Sequence, residues 1–135
     1  MAKVLIIEDD PLMFRMYQKV FQLANHQVVV TTNGEDGISQ AKEGDFAVIL
    51  LDVMMPKMNG LDVLKQLKAD HATEATPVII LTNSVSDKVI KAAMSMGATE
   101  YILKSDHDPM DVVKIVEQVL EKEKKPAPKP KAAKS

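Results

Sequence analysis

Three acids stand in a row at Glu8, Asp9 and Asp10, directly after the apolar run Val4–Ile7, and a proline follows at position 11. Further polar residues close three other apolar runs: Asp52 after Ala47–Leu51, Thr82 and Asn83 after Val78–Leu81, and Lys104 and Ser105 after Tyr101–Leu103. An aspartate at a buried strand end needs a partner, and gathered carboxylates repel. If Glu8, Asp9 and Asp52 meet, at least one carboxyl pKa should rise unless a cation sits among them. A divalent cation resolves the conflict, since three carboxylates carry −3 while Mg2+ and the Lys104 ammonium together carry +3. Mg2+ takes oxygen ligands at about 2.0–2.1 Å, keeps several waters and completes its shell with phosphate oxygen. Carboxylates, a metal, a lysine and a hydroxyl on one rim make a phosphoryl-transfer site, in which positioning and charge neutralisation do most of the catalysis.

Each residue alone has a plainer role. Asp10 before Pro11 is a helix N-cap, Thr82 a strand-end hydroxyl, Lys104 a solvated lysine and Tyr101 a ring packed at a sheet edge. The chemistry therefore depends on elements that bring them together. Short β-rich apolar runs recur at Val4–Ile7, Val28–Val30, Ala47–Leu51, Val78–Leu81 and Tyr101–Leu103, too continuous for strands with one wet face. Helical spacing fills the intervals at Pro11–Leu23, Gly34–Glu43, Gly60–Lys68 and Asp87–Met96, and again at Pro109–Lys122. Five β-then-α units predict an α/β fold, a doubly wound parallel sheet with helices on both faces. In such a sheet ligands bind at the carboxyl ends of the strands, where all four polar clusters fall. Asp10-Pro11 and Asp108-Pro109 start two helices with the same device, an aspartate N-cap and a proline that forgoes an N–H the helix would leave unpaired.

The bulk composition narrows the class. At 135 residues, 46% hydrophobic and 27% charged, the chain is the size of one globular domain. Its apolar runs fall short of a membrane span or a signal-peptide core, so a soluble cytoplasmic protein is expected. Cysteine is absent, which excludes thiolate chemistry, and His26, His71 and His107 are too scattered for an HExxH-type metal pair and read as surface or loop residues. Residues 124–135, KKPAPKPKAAKS, hold five lysines and no acid, leaving a body with 12 basic and 19 acidic side chains. An acidic body argues against a nucleic-acid surface. We expect the domain at 1–123 and a disordered or extended Lys/Pro/Ala-rich tail or linker at 124–135.

The segments IIEDD, LLDVMMPKMNG, VIILT and GATEYILK, in this order and spacing over residues 3 to about 122, resemble the response-regulator receiver domain, the CheY-like fold of two-component signalling. That resemblance implies strand order 2-1-3-4-5. It implies that Asp52 accepts a phosphoryl group from a phosphohistidine of a sensor histidine kinase or phosphotransfer protein. Glu8 and Asp9 match the Mg2+-binding pair, with Asp9 the direct ligand and Glu8 acting partly through water, and the backbone carbonyl of Met54 matches the remaining protein ligand. By the same likeness Lys104 pairs with phosphoryl oxygens, Thr82 hydrogen-bonds one of them, and Tyr101 is the switch aromatic. The implied protein is no enzyme of external substrates but a switch that assists its own phosphorylation and dephosphorylation. It would dock a downstream protein through the fourth helix, fifth strand and fifth helix, around residues 87–122, as a monomer or a weak phosphorylation-dependent dimer.

Two positions depart from the family. Ser105 stands where proline is usual, commonly after a cis bond; a cis bond before serine costs about 2.5–4 kcal/mol, so a trans bond is expected, which leaves the aim of Lys104 open. Asn83 stands where a small residue is usual, and with Met54 it is expected to slow hydrolysis of the acyl phosphate. Alternatives are a receiver-like binding module that works without phosphorylation and a Mg2+-dependent phosphohydrolase. The second lacks the aspartate such enzymes place two residues after the nucleophile, here Met54. A nucleotide-binding module is disfavoured because neither GxGxxG nor GxxxxGK[ST] occurs.

Overall fold

The computed structural model describes residues 2–53, 59–83 and 86–124. Five strands and five helices alternate: β1 (Lys3–Ile7), α1 (Pro11–Leu23), β2 (Gln27–Thr31), α2 (Gly34–Glu43), β3 (Val48–Leu51), α3 (Gly60–Ala69), β4 (Val78–Thr82), α4 (Asp87–Ser95), β5 (Glu100–Leu103) and α5 (Pro109–Lys124). A short 3-10 turn at Lys104–Asp106 links β5 to α5. The strands form one parallel sheet in the order β2-β1-β3-β4-β5. Both the expected architecture and the order implied by the family likeness hold.

Side-chain alternation divides the core into two layers. Leu5 and Ile7 of β1, Ile49 and Leu51 of β3, and Val78 and Ile80 of β4 pack under α2, α3 and α4, where Ile38, Leu64, Leu67 and Ala93 meet them. Their strand neighbours Val4, Ile6, Val48, Leu50, Ile79 and Leu81 face the other way, under Tyr17 and Phe21 of α1 and Val112, Val116 and Leu120 of α5. Burial on both faces explains why the strands read as continuous apolar runs.

Local chemistry sets the helix ends near the rim. Asp10 Oδ1 accepts from the Leu12 amide at 3.0 Å, and Asp108 Oδ1 from the Asp111 amide at 3.0 Å, so both aspartates before proline are N-caps as expected. At the far end of α1, Asn25 turns left-handed (φ 72°), and the His26 and Asn25 amides donate to Phe21 O and Gln22 O, each at 3.0 Å. These two bonds close the helix. The turn also seats His26, which is a loop residue as expected but is buried. Its Nδ1 accepts from the Ala2 amide at 3.0 Å, which leaves the proton on Nε2 to be donated to Glu117 of α5 at 2.8 Å.

Candidate functional site

The register of the sheet assembles the site. Strand order reverses between β1 and β3, whose last paired residues are Ile7 and Leu51, so the next residues, Glu8 and Asp52, lie side by side at the switch point. Both follow by two positions a residue of the α1–α5 layer, Ile6 and Leu50, and Lys104 follows Ile102 in the same way. Period-2 alternation therefore places Glu8, Asp52 and Lys104 on one face of the rim. Lys104, from the far strand, reaches across the end of β4. Its ammonium donates a hydrogen bond to Glu8 Oε1 and another, of 3.1 Å, to Asp52 Oδ2. The three side chains are nearly enclosed, at 6% exposure for Lys104, 3% for Glu8 and 8% for Asp52. Charges so far from water require this pairing.

Ser105 does not disturb that aim. No peptide bond among the described residues is cis, and the chain turns after Leu103 through the 3-10 turn that begins at Lys104. The expected trans bond is present, and the lysine still meets both carboxylates.

Electrostatics agree with the expectation in direction and revise its cause. Glu8 is pushed up to about 7. Burial is the largest reason, the Lys104 hydrogen bond opposes it, and the charge of Asp52 adds to the rise. Repulsion between carboxylates, the reason offered by the sequence, is thus secondary to desolvation. Burial alone would depress the Lys104 ammonium, but the hydrogen bond to Glu8 and the charges of Asp52 and Glu8 outweigh it and raise it. A raised Glu8 favours the neutral acid and a raised Lys104 the ionised pair. An ammonium held between two carboxylates fits the ion pair.

Asp9 completes the acidic group, since ligand oxygens of Glu8, Asp9 and Asp52 lie within 4.8 Å of one another. An all-oxygen, all-carboxylate donor set of this span suits a hard divalent cation and no soft one. It therefore fits the Mg2+ expected from the sequence. Met54, whose carbonyl the family likeness adds to the set, lies outside the described residues, as do Met55-Pro56 and residues 125–135.

Thr82 and Tyr101 meet on the opposite face. Thr82 is fully buried and follows Ile80 by two positions, which puts it on the α4 side, and Tyr101 packs into that same layer. Thr82 pairs with Leu103 and Ile80 with Tyr101, so Thr82 and Tyr101 are diagonal neighbours across β4 and β5. The rim thus has two sides, with the charged trio above α1 and α5 and the hydroxyl–aromatic pair above α4.

Two residues matter more than the sequence indicated. Asn59-Gly60 carries weight only as a generic turn signal in sequence, yet a Cβ on Gly60 would collide with the Val53 backbone and come within 2.7 Å of the Asp52 carbonyl oxygen. The glycine lets α3 start against the backbone that carries Asp52. Tyr17 of α1 is buried in the layer that holds Ile6, Leu50 and Ile102, and its phenol, raised by burial, feels the charges of Lys104, Glu8 and Asp52.

A parallel doubly wound sheet with an acidic, lysine-bridged group at its switch point is the setting in which the comparisons with known proteins are read. The family model for the response regulator receiver domain matches residues 4–119. YkoG of Bacillus subtilis, an uncharacterized transcriptional regulatory protein, is 37% identical over 103 residues, 75% of this chain and 43% of YkoG. Protein PilH of Pseudomonas aeruginosa is 34% identical over 104 residues, 77% of this chain and 86% of PilH. The chain thus spans less than half of the one relative and most of the other. Among solved structures, the chemotaxis protein CheY4 of Vibrio cholerae superimposes with a TM-score of 0.82 at 28% identity, covering 88% of this chain and 98% of CheY4. The receiver domain of the sensor histidine kinase PA1611 of Pseudomonas aeruginosa, solved with magnesium coordinated in its active-site cleft, gives 0.80 at 18% identity over 89% of this chain and 98% of that one. The chain belongs to the response regulator receiver domain family, the phosphorylation-dependent switches of two-component systems. No helix among the described residues is long and apolar enough to cross a membrane.

Proposed function

We propose that the chain is a phosphorylation-activated signalling switch in which Asp52 accepts a phosphoryl group from a histidine kinase or a phosphotransfer protein. The observation that carries this reading is the buried Lys104 ammonium bonded at once to Asp52 and Glu8. Attack by an Asp52 carboxylate oxygen on phosphorus forms the acyl phosphate as the bond to the donor breaks. Glu8, Asp9 and Asp52, with the Met54 carbonyl, would hold Mg2+, which neutralises charge on the transferring group. Lys104 steadies the phosphoryl oxygens from the β5 side, so the domain assists its own phosphorylation and later hydrolysis.

Phosphorylation replaces one carboxylate charge with roughly −2 at neutral pH. Thr82, drawn toward the new oxygens, vacates space beside its diagonal neighbour Tyr101, and the Tyr101 ring follows. The change reaches the face of α4, β5 and α5, where a downstream protein docks, the chain being a monomer or a weak phosphorylation-dependent dimer in the cytoplasm. The domain proper is residues 1–123, with 124–135 as tail or linker. Lys104 keeps its aim despite Ser105, which removes the main reason for a phosphorylation-independent module.

Intact-mass measurement after incubation with acetyl phosphate, with and without Mg2+, tests the proposal on wild type and Asp52→Asn. A Mg2+-dependent gain of one phosphoryl mass, absent from the variant, is expected. A gain that survives Asp52→Asn, or none with acetyl phosphate and none from a panel of histidine kinases, overturns it.

A further inference from the structure

His26 is a buried titratable group that the phosphoryl mechanism leaves unused. Its side chain is only 5% exposed, and it joins three elements at the end of the sheet away from the rim, where β1 and β2 begin. Nδ1 accepts from the Ala2 amide at 3.0 Å, just before β1, and Nε2 donates to Glu117 of α5 at 2.8 Å. The ring lies against Phe21 of α1, with centroids 5.9 Å apart. Both ring nitrogens are occupied, one as acceptor and one as donor, an arrangement that only the neutral imidazole can make.

Histidine is the side chain whose charge changes most readily around neutral pH, and a proton added to Nδ1 turns that acceptor into a donor set against the Ala2 N–H. One contact must then break, and the geometry selects which. His26 itself is held, since its amide donates to Phe21 O at 3.0 Å and Asn25 before it is fixed in the left-handed turn (φ 72°). Glu117 gains from the new charge, because a carboxylate beside an imidazolium is an ion pair. Among the described residues it is the charged group in contact with the ring. Lys114 and Glu121, one turn to either side of it on α5, are exposed and make no bond to His26, and Lys3 of β1 lies over the Phe46 ring in the other core layer. Asn25, Gln27 and Phe21 carry no charge. The Ala2 amide is the loose partner. It belongs to the peptide before Ala2, whereas the Ala2 carbonyl, in the next peptide, accepts from the Gln27 amide at 2.8 Å. Rotation about one φ angle turns the amide away and leaves the first rung between β1 and β2 in place.

We propose that His26 is a proton-operated latch between the start of β1 and α5: neutral, it holds both; protonated, it releases the Ala2 amide and keeps Glu117 as an ion pair. Acidification thus frees the backbone ahead of β1 while the sheet keeps its register and α5 keeps its tie to the α1–β2 turn. The latch lies at the opposite end of the strands from Glu8 and Asp52, so it stands apart from the phosphoacceptor reading.

The test uses the full chain labelled with 15N. Protonation of the His26 ring is followed by long-range 1H–15N correlation from about pH 8 down to about pH 5, and protection of the Ala2 amide by hydrogen exchange corrected for its intrinsic rate. In wild type the Ala2 amide is expected to lose about tenfold of its protection in step with His26 protonation, while Ile6 and Leu50 keep theirs. Glu117→Gln removes the carboxylate that favours the imidazolium and should lower the His26 midpoint by about half a pH unit, the size of a half-exposed ion pair. Ala2→Pro removes the N–H that opposes the proton and should raise the midpoint by about 0.5–1 unit, the size of one hydrogen bond. A histidine that only fills space would respond to neither. Ala2 protection that persists through His26 protonation, a His26 that stays neutral until the domain unfolds, or a midpoint that either substitution leaves in place overturns the proposal. If a variant fails to fold, the wild-type exchange decides alone: loss of Ala2 protection in step with the ring supports the latch, and its persistence overturns it.

Discussion

Replacing Lys104 with methionine keeps much of the side chain's length and removes its charge, so it isolates what the ammonium does for the two carboxylates. In metal-free buffer the substitution leaves Glu8 and Asp52 side by side, almost wholly enclosed, without the cation that bridges them. Breaking a buried pair by deleting one partner costs about 3–5 kcal/mol. Glu8 softens that cost because, already pushed up to about 7, it can take a proton. The loss should therefore lie near the low end at pH 6 and the high end at pH 8, a fall in melting temperature of roughly 10–20 °C for a domain of this size. Mg2+ competes with Lys104 for the same carboxylates, so Lys104→Met should bind Mg2+ more tightly than wild type. At a hundredfold excess over its dissociation constant the metal returns about 2.7 kcal/mol. Urea denaturation followed by circular dichroism, in EDTA and in saturating Mg2+ at both pH values, measures every term. A loss under about 1 kcal/mol in EDTA at pH 8, or one that Mg2+ leaves untouched, refutes the idea that Lys104 stabilises the site as its internal cation.

Asp10→Ala removes the α1 cap and should cost about 1 kcal/mol in urea denaturation. Its Mg2+ affinity, measured by titration, should stay within about twofold of wild type because Asp10 is spent on the Leu12 amide. Gly60→Ala forces a methyl group against the backbone of Asp52 and Val53, so a loss of about 2 kcal/mol or more in the same assay, with slower acetyl phosphate labelling of Asp52, is expected. Metal-free stability should depend on pH through Glu8, whose carboxyl rises from 4.5 unfolded to about 7 folded. The folded state holds the extra proton, so the contribution is full below about 4.5 and lost as pH rises through 7. Denaturation across that range should show stability falling with pH, and Glu8→Gln should flatten the slope.

Most of the fold was legible because its elements announce themselves by period and by caps. Each strand lies within two residues of the expected bounds, since an apolar run bounded by acids, glycines or asparagines has few places to end. The helix ends depart by one or two residues where helices fray or run on: α3 continues to Ala69, one past the expected Lys68, α4 stops at Ser95, one short of the expected Met96, and α5 continues to Lys124, two past Lys122. Convergence of Glu8, Asp9 and Asp52 followed from parallel strands ending on one edge. What remained hidden was direction. Alternation tells which residues share a face, but the division of the rim into a charged side and a hydroxyl–aromatic side depends on which layer of helices covers each face, and on the register that pairs Ile80 with Tyr101.

The substitution at Ser105 shows why that register outweighs any single motif residue. Lys104 is anchored from below by Ile102, fully inside the α1–α5 layer, and from the side by the Thr82–Leu103 pairing, so its backbone is fixed before the chain reaches position 105. Beyond it, the 3-10 turn and the Asp108 cap lead into α5, whose Val112 and Val116 pack on the same layer. With both flanks held, the peptide after Lys104 has little influence on where the ammonium points, and the Glu8 and Asp52 carboxylates define its end. The residue after the lysine then governs the path to α5 and not the aim of the lysine. Ser105→Pro should accordingly leave Mg2+ affinity and the metal-free ion pair unchanged, within about twofold by titration and about 0.5 kcal/mol by denaturation. A Ser105→Pro protein that loses the Lys104 contacts, seen as the same pH-dependent destabilisation as Lys104→Met, would show that the turn and not the sheet register aims the lysine.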